Sequence, residues 1–172
     1  TYKENVSFKT LTSYKTGGVA RLVVYPFAVN DLITILKFIK KKKLKYKVFG
    51  NGSNILASDK TFDGVIIKLS NLNAINIDGG NVEVEAGYNF AVLSNMMSKK
   101  GYWGLEFGGG IPANVGGAVY MNAGAYLQAV SDVLVKVGFL DSDYNIKTLG
   151  VKDLNYSYRH SIFLEKDWII LK

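Results

Sequence analysis

The segment Gly104-Leu105-Glu106-Phe107-Gly108-Gly109-Gly110-Ile111-Pro112-Ala113-Asn114-Val115-Gly116-Gly117-Ala118-Val119-Tyr120-Met121-Asn122-Ala123-Gly124-Ala125 constrains this chain more than any other. It holds seven glycines and no lysine or arginine. Glycine lets backbone approach a ligand closely and takes positive φ cheaply. A run of free backbone N–H groups binds an anion without a charged side chain. Pro112 fits an early position of a helical turn that Val115 to Met121 continue, and the N-terminus of such a short helix would point at an anion. The competing reading is an irregular loop packed on itself. Loops this long without structure of their own usually carry function.

A second stretch of this kind lies upstream. Tyr46 to Phe49 reads as a strand that runs into Gly50-Asn51-Gly52-Ser53-Asn54-Ile55. Ser53 and Asn54 offer side-chain donors, and Gly50 and Gly52 bare their backbone. No Lys-Ser or Lys-Thr follows and no long helix opens after it, so it is neither a Walker loop nor a dinucleotide fingerprint. Alone, a turn of this type is more often a plain β-turn than a ligand site. Two glycine-rich bends in one chain suit a diphosphate-bearing cofactor gripped from both sides.

At these residues the chain resembles the UDP-N-acetylenolpyruvoylglucosamine reductases. The resemblance runs in order through Asn5 to Lys9, Ser13 to Gly18, Gly50 to Asn54, Gly104 to Phe107, Gly110 to Tyr126, and Tyr158-Arg159-His160-Ser161-Ile162-Phe163. It spans nearly the whole chain, and Gly110 to Tyr126 is its most specific part. It implies an α+β, two-subdomain FAD-binding fold of the vanillyl-alcohol oxidase and p-cresol methylhydroxylase type, with FAD lying between the subdomains. It also implies that Gly50, Asn51, Gly52, Ser53, Asn54 and Ile55 hold the FAD diphosphate. Gly110, Ile111, Pro112, Asn114, Val115, Gly116, Gly117, Ala118, Asn122, Ala123 and Gly124 would then close over the cofactor.

The resemblance further implies that Arg159 is catalytic and steadies the charge that develops on an enolpyruvyl group, with Tyr158 orienting the substrate or the arginine. On spacing alone, a structural salt bridge from Arg159 to a carboxylate such as Glu106 or Asp132 is the preferred reading, which the resemblance reverses. Glu106 reads as direct chemistry or loop bracing. In the family, NADPH reduces FAD, reduced FAD passes hydride to UDP-N-acetylglucosamine enolpyruvate, and a serine of a third, substrate-binding domain supplies a proton. The resemblance places that domain beyond Lys172. The alternative is a module that binds FAD or a nucleotide and turns nothing over. Two departures from the family pattern are Ala113-Asn114, where Gly-Ser is common, and Gly108-Gly109, where a larger residue is usual.

Composition narrows the classes. Apolar residues make up 48% and charged residues 20% of the 172, as in folded domains. Without cysteine there are no disulfides, thiol chemistry or cysteine-ligated metals. Single His160 has no evident partner for a triad or metal site, so no metal is expected. No apolar run has membrane-spanning length, and no apolar stretch follows the charged start. We expect a cytoplasmic monomer with neither membrane nor nucleic acid as partner. The net charge of +7 is concentrated in Lys37, Lys40 to Lys43, Lys45 and Lys47. These read as a solvated helix face, interleaved with Leu36, Phe38, Ile39 and Leu44; a nucleic-acid surface rests on this cluster alone.

Patterning predicts the elements in order. Residues 1–18 read as an irregular lead-in. Ala20 to Tyr25 predicts a strand, Asn30 or Asp31 a cap, and Leu32, Ile33, Ile35, Leu36 and Ile39 a helix. With Tyr46 to Phe49 these make a βαβ unit, and Gly64 to Leu69 is a further strand. A boundary near Ser70-Asn71 divides the chain into 1–70 and 71–172. Ala74 to Ile77 and Val82 to Ala86 predict a hairpin across Asp78-Gly79-Gly80-Asn81. Asn89 to Lys99 predicts a helix with Phe90, Leu93, Met96 and Met97 on one face, stopped by Gly101. Val133 to Leu140 and Ile146 to Leu149 form a strand pair, and Trp168 to Leu171 the last strand.

Overall fold

The computed structural model describes residues 1–172, which fold as two compact units, Thr1–Leu72 and Asn73–Lys172. The first holds β1 (Tyr2–Ser7), α1 (Phe8–Leu11), β2 (Val19–Val24), α2 (Val29–Lys41), β3 (Lys45–Phe49) and β4 (Phe62–Lys68). Its sheet runs β1-β2-β4-β3, with β1 antiparallel to β2 and both β2 and β3 parallel to β4. The βαβ unit therefore exists with a strand inserted: β4 lies between the two strands that α2 connects. Gly64-Val65-Ile66-Ile67 of β4 are buried, as a strand with neighbours on both edges requires.

The lead-in is a correction. Residues 2–7 are a strand and residues 8–11 a helical turn, capped where the Ser7 side chain accepts from the Lys9 N–H. The strand escapes sequence reading because its polar, largely exposed residues carry no apolar alternation. Its register with β2, Tyr2↔Val24 to Ser7↔Val19, is what makes it one.

Helix α2 forms as its spacing predicts. Leu32, Leu36 and Ile39 are buried, each worth about 1.5–3 kcal/mol relative to exposure. Asp31 lies inside the helix instead of capping it from outside, and its carboxylate accepts from the N–H groups of Phe27 and Ala28 at 3.0 and 3.2 Å. The lysines from Lys37 to Lys47 are all exposed.

The second unit holds β5 (Ile75–Asp78), β6 (Asn81–Val84), α3 (Phe90–Lys99), α4 (Val115–Tyr120), β7 (Gly124–Ala125), β8 (Gln128–Ala129), β9 (Lys136–Leu140), β10 (Ile146–Gly150) and β11 (Ile169–Ile170). The β5–β6 hairpin turns at Gly79-Gly80, pairing Asp78 with Asn81. Asn89 caps α3 by accepting from the Val92 N–H at 2.9 Å, and Gly101 follows its end at φ +79°. Phe90, Leu93 and Met97 are buried on α3 while Met96 is only half-buried. Strands β10-β9-β11 form a second sheet, where Phe139 meets Phe163 edge-on at 5.6 Å and stacks on Trp168 at 4.6 Å. No helix is long and apolar enough to cross a membrane.

Asp141 locks the β9–β10 turn. Its carboxylate accepts from the N–H groups of Asn145 and Asp143, both at 2.9 Å, and pairs with Lys147 Nζ at 2.9 Å. The Asn145 N–H first, then Lys147, hold its carboxyl at about 2, below the ordinary 3.8. A depressed folded-state value stabilises above the unfolded pKa, and the contribution is lost as pH falls through the folded one. Asp141→Asn is thus expected to lower the melting temperature at neutral pH, with the gap to the parent closing as pH falls from 3.8 towards about 2. Parallel acid limbs for the two proteins would refute this.

Candidate functional site

The first bend, Gly50 to Ile55, leaves β3 at its carboxyl end and is anchored on both sides. Phe49 is buried in the cluster of Phe8, Leu11, Ala20, Val23 and Ile66, and Ile55 packs against that cluster. Gly52 lies at φ +73°, with its absent Cβ directed at the Leu11 carbonyl oxygen, and its own carbonyl accepts from the Ser13 N–H at 3.2 Å. The bend therefore rests on the end of α1. Gly18 likewise leaves no room for a Cβ beside the Asp59 carbonyl, and the Gly18 N–H donates to Ser58 O. Residues 11–13 thus back Gly52, and residues 58–60 back Gly18. Asn51 and Asn54 are exposed, and Ser53 and Gly50 are half-buried.

The second loop is not irregular. Glu106–Gly110 forms a 3-10 turn, a link of residues 111–114 follows, and α4 comes next. Phe107 is buried against Phe90 of α3, with ring centroids 5.8 Å apart. The Ser94 hydroxyl donates to Leu105 O at 2.6 Å, and Glu106 accepts from the Gly104 N–H at 2.8 Å. Glu106 is thus a loop brace. Gly108 is required here, since a Cβ would lie 2.7 Å from the Phe90 ring.

The link is strapped to residues 86–90. The Phe90 N–H donates to Ala113 O, and the Asn114 side-chain amide donates to Gly87 O at 2.6 Å. The N–H groups of Val115 and Gly116 donate to the carbonyls of Tyr88 and Ala86 at 2.9 and 2.8 Å. This corrects two expectations. Pro112 sits in the link, not in a helical turn, because pairing at Asn89↔Asn114 holds the link beside the start of α3. The leading amides of α4 and the Asn114 amide serve internal carbonyls, so they do not wait for an anion. What stays open is Gly110 and Gly117, where an added Cβ meets nothing within 4 Å. Ile111 and Gly124 are half-buried, and Ala118 and Ala123 are buried.

The arginine motif is tied to this loop. Ser157 and His160 exchange N–H···O bonds of 3.3 and 3.2 Å, so Tyr158-Arg159 is the tip of a tight turn with Arg159 at φ +55°. Arg159 donates to Gly124 O at 3.0 Å and stacks over Tyr158 at 5.5 Å. It forms no ion pair with Glu106 or Asp132, whose carboxylates accept from the N–H groups of Gly104 and Ala129, each at 2.8 Å. The Ser161 hydroxyl donates to Tyr120 O at 2.6 Å, and the Tyr156 hydroxyl to Val119 O at 3.2 Å. Burial pushes the Tyr156 phenol well above its ordinary value, so it stays a donor. His160 places Nδ1 3.1 Å from Asn155 O and Nε2 3.0 Å from Glu165, bracing the turn from outside.

The structure thus joins Gly110 to Gly124 with Tyr158 and Arg159 in one unit, and sets Gly50 to Ile55 in the other. Sequence reasoning missed the supporting groups: the backbone of Leu11 to Ser13, and the carbonyls of Ala86, Gly87 and Tyr88. Ser7 before Phe8 is a cap signal for the first, while carbonyl acceptors leave no signal in side chains.

Residues 20–150 match the family described as FAD binding domain. The chain belongs to the FAD binding domain family. UDP-N-acetylenolpyruvoylglucosamine reductase of Caldicellulosiruptor saccharolyticus is 42% identical over 164 residues, covering 95% of this chain and 53% of the relative. The crystal structure of UDP-N-acetylenolpyruvylglucosamine reductase from Thermus caldophilus matches at TM-score 0.82 and 27% identity, over 99% of this chain and 60% of that one. At 16% identity, Physcomitrella patens BBE-like 1 shares the fold, with TM-score 0.71 over 90% of this chain and 36% of that one. The chain spans about half the length of the curated relatives it matches. The resemblance resting on Gly110 to Tyr126 and the expected α+β FAD-binding fold are both borne out.

Proposed function

We propose that this chain binds FAD and is the flavin-holding part of a UDP-N-acetylenolpyruvoylglucosamine reductase. The reaction is reduction of the enolpyruvyl group of UDP-N-acetylglucosamine enolpyruvate, a step of peptidoglycan precursor synthesis, with NADPH as hydride donor. One observation carries it: in a loop strapped down elsewhere, Gly110 and Gly117 open onto free space, and Arg159 is bonded to Gly124 of that same loop. Such a surface fits a flat, anionic cofactor, because bare backbone admits close approach.

When bound, FAD supplies hydride transfer, and the protein supplies orientation and electrostatics. Gly50, Asn51, Gly52, Ser53 and Asn54 offer the diphosphate backbone and side-chain donors. Gly110, Ile111 and Gly117 offer it accessible backbone. Arg159 grips the substrate carboxylate with its planar fork and holds the negative charge that develops on the enolpyruvyl group. Tyr158, 89% exposed, lies under the guanidinium and limits its swing. A nucleotide-sugar substrate and NADPH go with a monomeric enzyme working in the cytoplasm.

The purified protein is expected to be yellow or to take up added FAD, and NADPH to bleach it. UDP-N-acetylglucosamine enolpyruvate should then restore the colour. Failure to bind FAD refutes the reading, and bleaching without recovery leaves a flavin-binding module. Gly117→Leu sharpens the test. Leucine is the better helix former, by about 0.8–1 kcal/mol over glycine, and open space receives it, so the melting temperature should hold or rise. Flavin affinity should fall at least tenfold, by about 1.4 kcal/mol. Unchanged affinity would move the flavin elsewhere.

A further inference from the structure

We propose that Asn122 is a positioning residue: it latches the turn that presents Arg159 onto the glycine loop, instead of touching the cofactor with its side chain. This rests on the reading of Arg159 given above. Asn122 follows α4 at φ +44° and is only 6% exposed. Both ends of its amide are engaged. Nδ2 donates to Ser157 O at 3.0 Å, and Oδ1 accepts from the Ser131 N–H at 3.0 Å. These partners fix the amide's orientation, because a backbone N–H only donates and a carbonyl only accepts.

Ser157 is the root of the turn, and its carbonyl also receives the His160 N–H. Two residues beyond Ser157, Arg159 donates back to Gly124 O, two residues beyond Asn122. Opposed bonds at 122→157 and 159→124 thus close a ring between the two segments. Arg159 sits at φ +55°, a conformation that costs a non-glycine residue free energy and persists only where its surroundings hold it. The Asn122 latch is part of that hold. Nδ2 keeps a second N–H, but a side chain held at both ends and only 6% exposed is fixed in place against the turn.

Asn122→Asp tests this. Aspartate matches asparagine in size, tolerates the left-handed conformation and still accepts from the Ser131 N–H. It sets a carboxylate oxygen against the Ser157 carbonyl, acceptor against acceptor. A positioning role predicts amide hydrogen exchange at residues 157–161 faster by about tenfold or more, with FAD affinity within about threefold of the parent. Reoxidation by UDP-N-acetylglucosamine enolpyruvate should slow by a further factor of about ten. A direct cofactor contact predicts the reverse: weaker FAD binding, from the new negative charge, and unchanged exchange in the turn. That result overturns the proposal, as does unchanged exchange alone. If Asn122→Asp does not fold, Asn122→Gly, which keeps the backbone angle and removes both bonds, carries the same comparison. Should the parent itself bind no FAD, the functional reading fails, while the exchange measurement still decides whether the latch exists.

Discussion

Gly52→Ala is expected to destabilise the protein by about 2–4 kcal/mol and to abolish flavin binding, although it adds one methyl group. Gly52 combines two demands. Its φ of +73° is unfavourable for any residue with a Cβ, and that Cβ would overlap the Leu11 carbonyl oxygen and lie 2.9 Å from Thr12 Cα. Both obstacles are backbone, so no side chain can swing aside. Relief requires the bend to lift off the end of α1, which breaks the Ser13 N–H···O bond to Gly52 and draws on the core around Phe49 and Leu11. Gly79→Ala is the control: its φ of +55° is also left-handed, but nothing lies within 4 Å, so only the conformational cost of about 1 kcal/mol should appear. Both tryptophans, Trp103 and Trp168, lie in the second unit, so urea unfolding should be followed by circular dichroism. Equal losses for the two variants would refute the close-approach argument.

Arg159→Lys is expected to slow substrate-driven reoxidation of the reduced flavin by about 100- to 1,000-fold, the range seen when one oxyanion-stabilising donor is removed. The charge survives, but the planar fork does not. With one arm on Gly124 O at 3.0 Å, a guanidinium can still present an edge to a carboxylate. A single ammonium that bonds Gly124 O has no second, coplanar donor to offer. Arg159 is exposed, so stability should change by no more than about 0.5 kcal/mol. Flavin content should persist, with bleaching by NADPH intact. A variant that reoxidises at the parental rate removes Arg159 from the reaction.

The site was legible where chemistry is local. Glycines at 110 and 117 announce bare backbone, Gly52 a close backbone approach, and Arg159 beside Tyr158 a charged fork. The sequence does not say which amides are already spent. Val115, Gly116 and Asn114 look like anion donors in a row of glycines, yet each bonds a carbonyl of residues 86–88. Asn122 reads as a cofactor contact, and the sequence does not show that its amide also bonds Ser131 and Ser157.

The fold divides the same way. Helices α2 and α3 and the β5–β6 hairpin follow from side-chain period and turn chemistry, because their stabilising contacts lie within a few residues of one another. Strand β1 and the insertion of β4 between β2 and β3 do not, since backbone hydrogen bonds pair segments far apart in the chain and leave little mark on residue type. Composition and spacing alone establish that this chain has two glycine-rich bends and an arginine at position 159. Which N–H groups stay open, and which carbonyl holds the arginine, is decided only when distant backbone claims the rest, because each hydrogen-bonding group satisfies whatever partner the fold brings within about 3 Å.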